Sequence, residues 1–379
     1  MSSLYLHIPF CEHKCIYCDF YSIESLSMME DFLRALKREI ELFPTDGKGE
    51  KFETIFFGGG TPSLLSPVAV DEILRLLSRK FDVAPDAEIT LEANPGTVNE
   101  EKLAGYRSAG VNRISFGVQS FHDDELKFLT RIHTASAAVE AIGLAKKAQF
   151  ENINLDLIFA LPHQTMAGWK DNLRRAVELE PQHISAYSLI VEQNTPLARM
   201  VKAKQVSPLP TSAEAGMYRF TMEYLRDTGF EHYEVSSYAR PHRSSRHNSN
   251  YWNHTNYFGF GPSAHSFHSM KRWWNIANNR NYCEMISAGR LPVAGEERLS
   301  NEQLLEERIM LGLRSRGVDL RQVFNDFGVD VLAPPRPAIR DLIESGLAIL
   351  DDTILRLTDK GFMLCDEITV RLLANLSPA

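Results

Sequence analysis

Six short β-rich runs alternate with amphipathic helical segments between residue 4 and about residue 230, and this alternation restricts the fold more than any other feature. The runs span 4–10, 54–57, 88–92, 113–118, 153–159 and 183–189, and each is close to continuously apolar. The segments between them keep the 3.6-residue helical period. In 66–81, Val70, Ile73, Leu74 and Leu77 share one face; in 134–150, Val139, Ile142 and Ala145 share another, opposite Lys146 and Lys147. Repeated β–α units with apolar strands call for a parallel sheet covered by helices, either doubly wound or an open barrel of six strands. In both, functional residues gather where strands end. Those ends carry Cys11, Cys15 and Cys18, the glycine run Gly58, Gly59 and Gly60 with Thr61 and Pro62, then Glu92, Gln119 and Asp156.

The pattern changes after residue 234. Residues 237–283 are rich in Asn, Tyr, Trp, His, Ser and Gly without a helical period, and long irregular segments of this kind are usually functional. From about residue 300, helices are expected over 301–317, 320–328 and 337–346, then a hairpin over 347–359 with Asp351 and Asp352 at its turn. Helix–helix–helix–hairpin is the order of a winged helix. The expected division is therefore a core over 1–235, an irregular linker over 236–299 and a winged-helix-like domain over 300–379, in line with a length of 379 residues. Thirteen Asp and Glu against nine Lys and Arg in the last part argue for a packing or lid module over a DNA reader. A net charge of −8 likewise disfavours a broad nucleic-acid surface. No apolar stretch approaches the roughly 20 residues of a membrane span, and the N-terminus does not read as a secretory signal, so a cytoplasmic location is expected.

Three of the five cysteines fall within eight residues, in CEHKCIYC. Cys283 and Cys365 stand apart and read as structural. A disulfide scaffold would spread its cysteines through a small domain. A structural zinc site would want four ligands in two pairs, and even with His7 or His13 as a fourth ligand no second pair exists. Three thiolates on one loop suit a 4Fe–4S cubane with one iron left for an outside ligand, such as the amino and carboxylate groups of S-adenosylmethionine. Glycines at a strand end let backbone approach a ligand closely, although a lone glycine run more often marks a tight turn. Glu92, Gln119 and Asp156 would each pass as a satisfied buried polar group. On successive strand ends they suit the ammonium and ribose hydroxyls of such a cofactor, with Arg131 as the cation for its carboxylate.

CxxxCxxC with Tyr17 before its last cysteine resembles the radical S-adenosylmethionine (SAM) superfamily signature. YLHIPFCEHKCIYCDF is similar to the coproporphyrinogen dehydrogenase branch, whose members share an open six-stranded (β/α)6 barrel, a partial TIM barrel. The resemblance covers nearly the whole chain. It implies a 4Fe–4S cluster on Cys11, Cys15 and Cys18, and cofactor contacts at Tyr5, Tyr17, Gly59, Gly60, Thr61, Glu92, Gln119, Arg131 and Asp156. It also implies one-electron chemistry, in which the reduced cluster cleaves the sulfonium to a deoxyadenosyl radical and the protein supplies placement and exclusion of water.

Two departures divide the branch. Phe20 stands where the dehydrogenase carries a further cysteine. HNSNYW at 247–252, followed by GFGPSAHSF at 259–267, resembles the HemW group of heme chaperones. That resemblance implies heme as cargo, passed to client heme apoproteins with a membrane surface among the places of delivery. It further implies a reductant such as flavodoxin or ferredoxin, a homodimer among the assemblies, and no nucleic-acid partner. Cluster and cofactor would then serve regulation, dimer formation or electron transfer. His247 offers heme iron an imidazole and Tyr251 and Trp252 an aromatic wall, with His265 and His7 as competing ligands. Read alone, the same residues would be turn and packing residues. The rival is an oxygen-independent coproporphyrinogen III dehydrogenase, against which Phe20 counts. Radical SAM methyl transfer or heme breakdown is a third class.

Overall fold

The computed structural model describes residues 2–44, 49–331 and 337–374; the remaining positions of the expected divisions lie outside the described residues. Six strands, β1 (Ser2–Ile8), β2 (Lys51–Gly59), β3 (Asp82–Ala93), β4 (Arg113–Gln119), β5 (Ile153–Phe159) and β6 (His183–Ser188), run parallel and lie side by side in chain order. A doubly wound sheet reverses its strand order at a switch point, and this sheet has no such reversal. The open barrel is the alternative that remains.

Helices cover the outer face. Pro67–Lys80 begins where Ser66 Oγ accepts the Ala69 amide and proline occupies the first turn, and it buries Val70, Ile73, Leu74 and Leu77 as its period requires. Ala135–Lys147 departs from the expected stripe. Ala135, Ala138, Ala141, Ile142 and Ala145 are buried, whereas Val139 is exposed. At 100° per residue Val139 sits roughly 100° around the helix from the centre of that stripe, and small alanines let the helix settle close to the sheet.

The later strands are not continuously apolar. In β4, Ile114, Phe116 and Val118 are fully buried under the helices, while Arg113, Ser115, Gly117 and Gln119 alternate with them and face the lumen. Asn154 and Asp156 in β5, and Ser185 and Tyr187 in β6, follow the same rule. The barrel has an apolar jacket and a polar bore.

Residues 236–299, expected as an irregular linker, instead extend the sheet on both edges. On one edge, β7 (Glu231–Glu234) and β8 (Ser237–Ala239) add antiparallel to β6. On the other, β9 (Asn256–Phe260) pairs parallel with β1, and β10 (His265–His268), β11 (Lys271–Asn275) and β12 (Val293–Arg298) continue as an antiparallel meander. These last strands are only four to six residues long, and their aromatic residues favour strand while their Asn, Gly and Lys do not, so pairing with neighbours decides them.

A buried carboxylate ties this meander to the barrel. Glu39, on the helix Met29–Leu42, accepts the Gly261 amide at 2.8 Å, the Tyr282 hydroxyl at 2.7 Å and the Asn275 amide nitrogen at 2.7 Å. Beyond it, helices Asn301–Leu313, Leu320–Phe327 and Pro337–Glu344 precede a three-stranded sheet of β13 (Val318–Asp319), β14 (Ala348–Asp351) and β15 (Ile354–Leu357). This module packs on the β7–β8 edge, where the Val235 amide donates to the Arg314 carbonyl at 2.8 Å and the Phe362 ring lies 4.6 Å from that of His232. Among the described residues no helix is long and apolar enough to cross a membrane.

Replacing Glu39 with Ala strands three buried donors, and chemical denaturation is expected to show a loss of about 3 kcal/mol. Burial holds the Glu39 carboxyl at about 7 in the folded chain, above its unfolded value. Its contribution to stability is therefore full in acid and lost as pH rises through 7, and the wild-type decline over that window should flatten in Glu39→Ala.

Candidate functional site

The cysteine loop leaves β1 at Ile8 and is pinned on both sides. Gly60 and Thr61 donate their amides to the Ile8 and Phe10 carbonyls at 2.8 and 2.7 Å, and Ile23 donates to Pro9 at 2.7 Å. A Cβ on Gly60 would stand 2.5 Å from the Phe10 oxygen, so only glycine permits this approach. All three cysteines are free thiols; Cys11 and Cys15 are buried and Cys18 is half-buried. The Thr61 hydroxyl donates to Cys11 Sγ, and the Arg131 guanidinium to Cys15 Sγ, each at 3.5 Å. Burial pushes the Cys18 thiol up to about 11, so its thiolate needs a metal to displace the proton.

Behind the loop lies a cavity of about 540 Å³. Its lining brings together Tyr5, Tyr17, Cys18, Gly59, Gly60, Thr61, Glu92, Gln119, Arg131, Asp156 and His247, the full set of expected cofactor contacts. Gln119 reaches it through a register shift between β4 and β5 and a φ of 67°, a local bulge that re-aims the side chain. Arg131 also donates to the Gly117 carbonyl at 2.7 Å, and a Cβ on Gly117 would stand 3.2 Å from that guanidinium.

The lining is an unusual electrostatic setting. Burial first, and the neighbouring Asp156 second, push the Glu92 carboxyl up to about 8, while the Gly59 amide and Arg113 oppose them. Asp156 is also raised by burial, against hydrogen bonds from Asn154 at 2.8 Å and Ser115 at 3.0 Å. Arg113 is a charged residue of the lining that sequence reasoning missed. It is buried on the lining, its Nε has no hydrogen-bond partner, and its charge acts on both carboxylates. The signal was available in the two-residue alternation of RISFGVQ, which places Arg113, Ser115 and Gln119 on one face.

HNSNYW forms a short helix, Arg246–Trp252, against β1 and β2. The Glu88 carboxylate accepts the Arg246 and His247 amides at 3.1 and 3.0 Å and Ser245 caps Asn248, which fixes the helix start inside the barrel. His247 stacks on Phe56 at 4.8 Å. Its Nδ1 is bonded to the Thr54 hydroxyl at 2.7 Å and its Nε2 to the Tyr251 hydroxyl at 3.0 Å. Burial lowers it to about 3, so it is a neutral ring with one donor and one acceptor, both engaged. As placed, His247 is a wall of the cavity and offers no open nitrogen. His7 is in the same position, with Nδ1 on the Tyr5 hydroxyl at 3.2 Å and Nε2 on the Tyr21 carbonyl at 2.8 Å. His265 is exposed. On the cavity rim Phe20, Tyr187 and Ile190 are exposed, Phe20 to 63%. Cys283 and Cys365 lie on helices Asn279–Ser287 and Cys365–Ala374, the first of which donates its Asn279 amide to the Tyr21 hydroxyl at 2.7 Å.

The donor set fits a cubane. Among the described residues no three His, Cys, Asp or Glu side chains converge as a single ion would need. A cubane holds its thiolates on separate irons, a wider arrangement that one loop with cysteines at 11, 15 and 18 can supply. When bound, such a cluster supplies one electron and an open coordination position. Cys11, Cys15 and Cys18 would hold it, with Thr61 and Arg131 donating to the Cys11 and Cys15 sulfurs, and the lining behind them would hold and orient a ligand.

The barrel and its three-thiol loop put the chain in the radical SAM superfamily, whose model matches residues 5–176; a HemN C-terminal domain model matches 299–364. Heme chaperone HemW of Bacillus subtilis (strain 168) is 36% identical over 99% of this chain and 100% of its own length. HemW of Escherichia coli (strain K12) is 40% identical over 69% of each chain. The mitochondrial radical S-adenosyl methionine domain-containing protein 1 of Danio rerio is 32% identical over 99% of this chain and 87% of its own. The structure of the coproporphyrinogen III oxidase HemN from Escherichia coli superposes with a TM-score of 0.83 over 99% of this chain and 90% of that one; at 22% identity this shows a shared fold. The chain belongs to the HemW family.

Cys15→Ala is expected to abolish cluster assembly, because two thiolates cannot hold three irons. Iron and acid-labile sulfide analysis after anaerobic reconstitution checks this, and a full complement in the variant would overturn the ligand set.

Proposed function

We propose that this chain is a heme chaperone that binds heme and passes it to client apoproteins. In this reading it carries a 4Fe–4S cluster on Cys11, Cys15 and Cys18 and S-adenosylmethionine against Tyr5, Tyr17, Gly59, Gly60, Thr61, Glu92, Gln119, Arg131 and Asp156. The observation that carries the reading is the cavity with its rim. About 540 Å³ lies in the usual range for a cofactor-sized ligand. The rim presents exposed Phe20, Tyr187 and Ile190, an apolar edge suited to a flat macrocycle. Membership of the HemW family supports the same reading, and so does Phe20 in place of a further cysteine. His247 contributes through its ring and its Tyr251 partner. Cluster and cofactor serve regulation, pairing of two chains or electron transfer from a flavodoxin or ferredoxin. Delivery from the cytoplasm to clients at a membrane surface belongs to the same proposal.

An anaerobic heme titration of the cluster-loaded protein should saturate at about one heme per chain. The same protein should convert no coproporphyrinogen under reducing conditions. Protoporphyrinogen formed with stoichiometric 5′-deoxyadenosine would replace the chaperone with the dehydrogenase.

Cofactor binding should depend on pH through Glu92. With no ligand present its carboxyl, at about 8, is mostly protonated at pH 6.5, and a cationic ligand favours the ionised form. S-adenosylmethionine is therefore expected to bind on the order of tenfold more tightly at pH 8.5 than at pH 6.5, as read by calorimetry, with the dependence flattened in Glu92→Gln.

A further inference from the structure

β10 opens with a histidine on the same end of the sheet as the cysteine loop. β9 runs parallel to β1 with Phe260 beside Leu6, so both strands finish at that end. His265 opens β10 and pairs across the ladder with Trp274 near the end of β11. The two rings lie 6.1 Å apart at an interplanar angle of 28°. His265 also lies within electrostatic range of His7, four residues before Cys11.

The imidazole is held in one tautomer. Its Nδ1 lies 3.1 Å from the Ser263 carbonyl, which can only accept, so Nδ1 carries the proton and donates. The Nε2 lone pair is then left open on an exposed side chain. A ring N–H held by a backbone carbonyl is the usual outer support of a metal-binding histidine. Ser263 adopts a φ of 65° to present that carbonyl, a conformation a non-glycine residue holds only when its surroundings impose it. Those surroundings are tight. A Cβ on Gly259 would stand 2.2 Å from the His265 oxygen, and one on Gly261 2.4 Å from the His7 oxygen.

Other histidines near the strand ends lack this combination. His7, His133 and His247 have both nitrogens engaged, and His122 Nε2 faces Asp171 at 3.3 Å. His13 holds Glu24 with one nitrogen, and His163 is exposed, but no aromatic ring stacks on either among the described residues.

We propose that His265 Nε2 is the protein ligand to the iron of the cargo heme, with Trp274 stacked against the imidazole to hold its orientation. This rests on the chaperone reading and deepens it by naming where the cargo sits: outside the cofactor cavity, at the root of the cysteine loop. Coordination would form one Nε2–iron bond and break the bond from the iron to an axial water, while the Nδ1 hydrogen bond to the Ser263 carbonyl is kept. An exposed ligand also suits a cargo that must leave for a client.

The test is a hemin titration of the full cluster-loaded chain, with ferric-heme electron paramagnetic resonance recorded while the oxidised cluster is silent. His265→Ala should keep its iron and sulfide, lose the imidazole-ligated heme signal and bind heme roughly tenfold or more weakly. Free imidazole should restore the signal in His265→Gly. Trp274→Leu should weaken binding with the ligand signature intact. A wild-type spectrum and affinity in His265→Ala would overturn the assignment alone, all the more if His247→Ala or His13→Ala lost the signal. A wild-type chain that binds no heme would overturn the chaperone reading and this site with it.

Discussion

Two backbone hydrogen bonds, from Gly60 and Thr61 at the end of β2 to the Ile8 and Phe10 carbonyls beyond the end of β1, hold the functional end of this barrel together. Parallel strands normally part company at their ends, where each chain turns toward its helix. Here the glycine run keeps β2 pressed against the chain leaving β1, and the cysteine loop starts from a fixed point. The Thr61 hydroxyl then reaches Cys11, so the same short segment sets the loop and touches its first thiol. Arg131 does the matching work from the far side, bridging Cys15 and the β4 carbonyl of Gly117. The loop is shaped by strands on both sides, and its own sequence needs to supply little beyond the thiols.

The polar bore is the second constraint. Placing Glu92, Asp156 and Arg113 inside a protein costs desolvation, and the barrel recovers part of that through Ser115, Asn154 and the charge of Arg113. The compensation is incomplete, since Glu92 stays far from its ordinary range and Arg113 Nε has no partner. Sites that carry function commonly retain such unmet electrostatic demand. The apolar jacket bears the stability, and the two faces of each strand divide the labour.

Much of this was legible from the chain. Strands of the barrel announce themselves because their outward residues, such as Ile114, Phe116 and Val118, must match the helices in one long period. The cysteine loop and the lining residues from Tyr5 to Asp156 follow from spacing and from resemblance. Arg113 was hidden because a strand read as uniformly apolar conceals its second face. The meander over 256–298 was hidden for another reason: its strands exist through pairing with β1 and through the Glu39 anchor, which no local pattern records. His247 was found by its motif, but its two hydroxyl partners, Thr54 and Tyr251, come from different elements, and only the fold shows that both nitrogens are taken.

The position of β1 has a consequence for biosynthesis. It is made well before β9, yet in the finished sheet it lies between β2 and β9, with Ser2 beside Asn256. At roughly 5–20 residues per second, β1 waits on the order of 10–50 s with one edge unpaired before its second neighbour is made. The cysteine loop hangs from that unfinished strand throughout. The residues that hold the loop, Gly60, Thr61 and Arg131, are made long before β9, so in the meantime it is the free edge of β1, and not the cradle, that stays unfinished and open to pairing with another strand.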